Sequence, residues 1–370
     1  MEIMDCYSEL VTEVVTTCDP EVAFEGADVA VLLGGFPRLP GMERRDLIAE
    51  NVPIMAEHGR ALAKCASDWV RVLVVANPAC TNCLVAAISA PSIPRIHFTS
   101  LARLDQDRLS AMLADECSTG NASNFASEAP SAGAGAGAEM AGAGMAAAAA
   151  SQQEAGVRLA PARVAVRGVY LWGNHSPTMW PDLSRAEVKK AGGRWVPVDE
   201  GRAAAPERAG GVGDPAGAAA AAADSEAARA AAWREWVREA LVPAVRGRQA
   251  WHGATIGEGG GAKVIEARGK SSALSAANAI ANHLRDWLLP RPAGARGRRV
   301  SMGVFSDGNP YGAPDGIVCS FPVECGEGRY RILDGFQPDG AMLEASTREL
   351  VEERQEALET LRESGPQNQP

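Results

Sequence analysis

The sequence predicts an α/β protein built on a doubly wound parallel sheet. Two apolar runs, 27–33 and 71–76, show no polar–apolar alternation, as expected of strands buried on both faces. A helix-length segment, 43–67, lies between them, and strand–helix–strand in that order makes a parallel crossover. The chain has 370 residues and 46% hydrophobic content, enough for two domains with real cores.

The elements follow in order. Residues 1–18 carry Leu10, Val11, Val14 and Val15 in a one-face helical pattern, which Asp19-Pro20 breaks. The strand at 27–33 closes on Gly34-Gly35, and 36–41 is a loop punctuated by Pro and Gly. The helix at 43–67 carries Pro53 as a kink position. The strand at 71–76 stops at Asn77-Pro78, and 103–117 is a helix. Composition then changes. Residues 118–160 are rich in Ala, Gly and Ser, and 201–231 are similar; such segments bury too little apolar surface to offset their ordering entropy, so disorder is expected. Ordered sequence returns at 163–198. Residues 232–246 read as an amphipathic helix, 257–261 as a Gly-rich break, and 262–289 as helical up to Pro290. Strands are expected at 300–304, 317–323 and 330–333, then a charged amphipathic helix at 341–363 and a polar tail at 365–370.

Composition narrows the function. A net charge of −10 argues against a nucleic-acid partner. No apolar run approaches the ~18 residues of a membrane span. The start, Met1-Glu2-Ile3-Met4-Asp5-Cys6, lacks the basic beginning and apolar core of a signal peptide. Eight irregularly spaced cysteines read as mostly reduced thiols of an intracellular protein.

Three groups of residues carry chemistry. Arg38 and Arg44 sit on or beside a loop after a parallel strand, where ligands of such sheets bind, and arginine makes bidentate bonds to carboxylates. Taken alone they are solvated charges. Asp105 and Arg108 stand three apart and share a helix face, as a plain ion pair would. His175, in Leu171-Trp172-Gly173-Asn174-His175-Ser176, follows a strand-like run. By itself it is a core histidine, but beside a carboxylate it is suited to move a proton near neutral pH. Cys80-Thr81-Asn82-Cys83 is a CxxC without a second pair, so neither zinc nor redox work is expected of it.

Six blocks in order, GGFPRLPGMERRDL (34–47), VLVVANPACTNC (72–83), LARLDQDR (101–108), LWGNHS (171–176), ARGKSSALSAANAI (267–280) and SMGVFSDGNPYGAPDGIVCSFPV (301–323), resemble the cytosolic NAD-dependent type of malate dehydrogenase, in the lactate/malate dehydrogenase family. With their flanks they cover about two-thirds of the chain. The resemblance implies reversible oxidation of malate to oxaloacetate with NAD, in a homodimer. His175 would be the proton donor and acceptor, with Asp105 bonded to it. Arg108 would hold the carboxylate beside the reacting carbon, Arg38 the distal carboxylate, and Arg44 would polarise the carbonyl. Asn77 would touch both substrate and nicotinamide ribose. Gly34, Asn51, His58, Val75, Ala76 and Ser272 would line the cofactor.

The implied fold is a truncated Rossmann-type doubly wound parallel sheet, residues 1–100, followed by the family's α+β C-terminal catalytic domain, residues 101–364, with the two low-complexity inserts inside it. It is called truncated because neither Gly-x-x-Gly-x-x-Gly nor Gly-x-Gly-x-x-Gly occurs anywhere. The expectation is that the family's first strand–glycine turn–helix unit is missing. Cys80 stands where the family has asparagine, and His58 where it usually has glutamine. A second reading follows from that gap: an inactive remnant serving as a dimerising or interaction subunit through the helix at 43–67.

Overall fold

The structure, a computed structural model, describes residues 10–37, 42–119, 164–190, 192–198, 241, 273–290 and 297–363. Arg38, Ser272, both inserts beyond Thr119, the helix expected at 232–246 apart from Leu241, the break at 257–261 and the tail at 365–370 lie outside the described residues. The chain divides into two compact units. One comprises Met1–Leu109, Gly168–Arg185 and Val242–Pro370, the other Ser110–Arg167 and Ala186–Leu241.

The first unit begins differently from expectation. Residues 10–18 are not helical. Leu10 is 92% exposed and Val15 64%, so little of the apolar face is covered by the described residues, and a short amphipathic helix with little packing is marginal in water. Asp19-Pro20 starts a helix instead of breaking one. Asp19 caps α1 (Pro20–Phe24), its side chain accepting from the Glu21 amide at 2.9 Å, and Pro20 occupies the first turn, where a missing N–H costs nothing.

Then come β1 (Val29–Leu32), α2 (Arg44–Cys65) and β2 (Arg71–Val74). Strand β2 pairs parallel with β1, which is the crossover expected. Helix α2 runs through Pro53 and buries Ile48, Val52, Met55 and Leu62. At Gly59 a Cβ would lie 2.4 Å from the Ala86 carbonyl oxygen, so only glycine allows α2 and the next helix, α3 (Ala79–Ile88), to approach this closely. Strand β3 (Phe98–Ser100) extends the parallel set by pairing with β2.

Helix α4 (Arg103–Thr119) follows, then β4 (Val166–Arg167), β5 (Tyr170–Trp172), β6 (Trp180–Asp182), β7 (Glu187–Lys189) and β8 (Trp195–Pro197). After α5 (Leu274–Leu288), strands β9 (Arg298–Phe305), β10 (Val318–Gly326) and β11 (Arg329–Ile332) precede α6 (Gly340–Glu363). The parallel strands do not form a sheet of their own. The order is β1-β2-β3-β9-β10-β11, with β9 joined antiparallel to β3 through Ser100 and Gly303. One mixed sheet therefore unites the first hundred residues with the last third of the chain. Its core includes Val72, Val74, Phe98, Met302, Val304, Phe321 and Val323, all buried, each contributing about 1.5–3 kcal/mol.

Hairpin β5–β6 is anchored by Trp172. Its ring is buried, meets Tyr311, Phe321 and Phe336 edge-on at 4.7–5.9 Å, and donates its indole N–H to Asp182 at 3.0 Å. In the second unit, β4, β7 and β8 form a small antiparallel sheet, on which Arg167 pairs with Glu187 and stacks over Trp195. Among the described residues, no helix is long and apolar enough to cross a membrane.

Candidate active site

The first turns of α4 present Asp105 and Arg108 on one face. The Arg108 guanidinium donates to Asp105 Oδ1 at 3.2 Å. Asp105 is buried, and its second oxygen, Oδ2, lies 2.6 Å from His175 Nδ1. A carboxylate only accepts, so Nδ1 carries the proton and the tautomer is fixed. Three residues expected to act together are thus joined through one buried carboxylate.

His175 stands on the loop that leaves β5, and that loop is held at every residue around it. Gly173 exchanges two backbone hydrogen bonds with Ser320 of β10, at 3.0 and 2.9 Å. Its φ of +91° belongs to glycine, and a Cβ there would lie 2.2 Å from Ser346 Oγ. That hydroxyl accepts from the Asn174 amide at 2.7 Å. Asn174 Nδ2 donates to Glu353 at 2.7 Å, while Ser176 and Thr178 donate to Glu349 at 2.6 and 2.7 Å. Ser346, Glu349 and Glu353 all lie on α6, and between them they hold the backbone or side chains of residues on both sides of the histidine.

Arg44, at the start of α2, reaches the same helix. Its Nε donates to Glu353 Oε1 at 2.5 Å and lies 3.8 Å from Glu349. Burial pulls its pKa down, but Glu353 and Glu349 outweigh that and raise it, so it stays charged. Arg44 is bonded to neither His175 nor Asp105, yet it shares Glu353 with the residue preceding the histidine.

A cleft of about 260 Å³, its open mouth included, lies beside these groups, lined by Cys80, Ser100, Leu101, Asp105, His175 and Met179 among others. Ligands of parallel sheets sit at the carboxyl ends of the strands. There Gly34, after β1, is exposed, with open space where a side chain would be. Val75, Ala76 and Asn77 follow β2, of which Ala76 is buried.

Two further residues expected at the cofactor, Asn51 and His58, have partners within the protein. Asn51 is fully buried, its carboxamide accepting from the Phe36 amide at 2.8 Å and donating to the carbonyls of Phe36 and Leu47. It staples the loop after β1 to α2. His58 is half-buried on α2, edge-on to Phe24, and burial lowers its pKa against the opposing pull of Glu57. Cys80 and Cys83 lie buried on α3. Burial pushes the Cys80 thiol up to about 11 and Cys83 well above its usual value, so neither is a ready thiolate.

Sequence reasoning missed Thr81, Asn174, Ser346, Glu349 and Glu353. A signal for Glu353 existed. The buried positions of α6 include 343, 346, 350, 353 and 357, a 3–4 spacing in which a carboxylate occupies a core register.

Comparison with known proteins identifies the family. The family model described as lactate/malate dehydrogenase, NAD binding domain, matches residues 1–98, and the one described as lactate/malate dehydrogenase, alpha/beta C-terminal domain, matches 254–363. The cytoplasmic malate dehydrogenase of Felis catus is 35% identical over 364 residues, spanning 98% of this chain and 83% of the relative. Among solved structures, the malate dehydrogenase from Naegleria fowleri superposes with a TM-score of 0.64 at 31% identity, covering 95% of this chain and 81% of that one. The Trichomonas vaginalis lactate dehydrogenase in complex with NADH and oxamate gives 0.66 at 26% identity, covering 98% and 84%. With both family models matched and a relative of this identity aligned over 98% of the chain, the chain belongs to the lactate/malate dehydrogenase family.

Proposed function

We propose that the chain is an NAD-dependent malate dehydrogenase that interconverts (S)-malate and oxaloacetate. The observation that carries this is the buried Asp105 carboxylate shared between His175 and Arg108. In malate oxidation, His175 accepts the hydroxyl proton at Nε2, because Asp105 holds Nδ1 and stabilises the imidazolium that forms. In the reverse direction the same nitrogen protonates the nascent alkoxide. Arg108 binds the carboxylate next to the reacting carbon. Arg44 polarises the carbonyl, an electrostatic contribution that grows as charge develops on oxygen. Arg38 binds the distal carboxylate, which selects a dicarboxylic acid.

The residues present suit the cofactor. Exposed Gly34 and the backbone of 75–77 lie at the carboxyl ends of β1 and β2, and Gly34, Val75, Ala76 and Asn77, together with His58 and Ser272, would hold NAD, while Asn51 supports them by fixing the Phe36 backbone. NAD, when bound, supplies the hydride acceptor. The division into a partial cofactor-binding part, 1–100, and a substrate-binding part, 101–364, is supported by family-model matches to 1–98 and 254–363. Action in the cytoplasm is supported by the name of the feline relative, and a homodimer by the family resemblance.

The test mixes the purified chain with NADH and oxaloacetate and follows NADH absorbance. Saturable oxidation with oxaloacetate, and far less with pyruvate, is expected. Turnover of pyruvate alone, or of neither acid, contradicts the proposal.

A further inference from the structure

We infer that Glu353 is a positioning residue for this reaction, one carboxylate that aims Arg44 at the substrate carbonyl and holds the His175 loop at the same time. The inference rests on the malate dehydrogenase reading above.

Glu353 is 3% exposed and sits in the apolar stripe of α6 between Leu350 and Ala357. A buried charge there stabilises the fold less than an apolar side chain of similar size, so packing does not account for it. Its bonds go elsewhere. Oε1 accepts from Arg44 Nε at 2.5 Å and from Asn174 Nδ2 at 2.7 Å, and Oε2 accepts from the Thr81 hydroxyl. These donors come from three separate elements: the start of α2, the first turn of α3 and the loop after β5. Each adjoins the chemistry. Asn174 precedes His175, Thr81 follows the cleft residue Cys80, and Arg44 is the carbonyl-polarising group.

The state of the Arg44 guanidinium completes the argument. Its plane is fixed by the Nε bond, yet Nη2 is buried and has no hydrogen-bond partner among the described residues. A buried donor left unmade is costly, and an arginine anchored through Nε presents its outer nitrogens in a fixed fork. The geometry suits a substrate oxygen completing the set. Glu349 assists one turn earlier, 3.8 Å from Arg44 Nε and bonded to Ser176 and Thr178 on the far side of the histidine.

The test uses the full chain with NADH and oxaloacetate. Glu353→Gln keeps the shape and removes the charge. The expected result is a fall in kcat of about 30-fold or more, KM for oxaloacetate changed by less than about 5-fold, and NADH affinity by fluorescence within about 2-fold. The double variant Arg44→Lys with Glu353→Gln should be slower than Arg44→Lys alone by clearly less than the factor Glu353→Gln costs the native chain, because part of the carboxylate's effect passes through the arginine and part through the Asn174 contact. A kcat unchanged in Glu353→Gln, or losses that multiply in the double variant, overturns the inference. Should the glutamine variant fail to fold, Glu353→Asp retracts the charge by one methylene, and a native kcat in that variant overturns it equally. A native chain inactive toward oxaloacetate strikes the malate dehydrogenase reading instead, so the two failures are distinguishable.

Discussion

Asp105→Asn replaces a buried carboxylate by a group of the same shape without its charge. In the native chain the carboxylate oxygen lies 2.6 Å from His175 Nδ1, and the histidine side chain is only 18% exposed, so solvent screens the pair weakly. Charge centres about 4 Å apart attract by about 4 kcal/mol at an effective dielectric of about 20. The carboxamide dipole returns part of this, leaving a loss of about 2–4 kcal/mol in stabilising the imidazolium that forms as the hydroxyl proton is taken. At about 1.4 kcal/mol per factor of ten, kcat for malate oxidation should fall about 30- to 1,000-fold. The carboxamide can also turn its NH₂ toward Nδ1 and select the wrong tautomer, which pushes the loss toward the upper end. Arg108 keeps an amide oxygen within reach of its 3.2 Å contact, so KM should change far less than kcat. Steady-state kinetics, with thermal melting and NADH binding as controls, measure this. A kcat within about 3-fold of native in a variant that folds and binds NADH normally refutes the shared-carboxylate account.

Three further outcomes follow from the same geometry. Gly173→Ala forces a Cβ to 2.2 Å from Ser346 Oγ at a φ of +91°, so it should destabilise the chain by about 2–4 kcal/mol in denaturant unfolding, and a loss under about 0.5 kcal/mol would contradict the close packing. His283, buried against Thr99 and Trp287, has its pKa pushed down to about 3, first by burial and then by Arg103 against the opposing pull of Asp286. Between that value and the ordinary ~6.5 the unfolded chain binds a proton that the folded chain does not, so stability falls as pH falls, by about 1.4 kcal/mol per pH unit; going from pH 7 to 5 should cost the native chain about 2 kcal/mol more than His283→Gln, and equal losses in the two would refute it. Exposed Cys18 should be alkylated by iodoacetamide at pH 8 well before Cys80, which burial holds up at about 11; equal rates by peptide mass spectrometry would show that the helix bearing the CxxC opens readily.

What the sequence reveals depends on the range of the interaction. The strands of the crossover and the helix between them are legible because their apolar runs are long and uninterrupted. The Asp105–Arg108 pair is legible because a helix sets that spacing locally. The contact of Asp105 with His175 spans 70 residues, and no periodicity reports it; family resemblance alone brings the two together. Short elements are hidden for another reason. Strand β3 has three residues, too few to show a period, and α3 begins directly after Asn77-Pro78, which reads equally as a stop or a start. Asp19-Pro20 carries the same ambiguity, since the residues that end one helix also cap and open another. Leu10 to Val15 show the converse: a helical pattern needs a partner surface, and these side chains stay largely exposed among the described residues. Glu353 escapes because a carboxylate on a charged helix reads as solvated unless its register is counted.

The most direct measurement of the central claim compares the native chain with His175→Asn in NADH oxidation by oxaloacetate. Asparagine keeps a hydrogen-bonding group near Asp105 but cannot carry the proton. The account predicts saturable turnover by the native chain and a fall of at least about 100-fold in the variant, with NADH affinity retained. Turnover in the variant within a few-fold of native would contradict it.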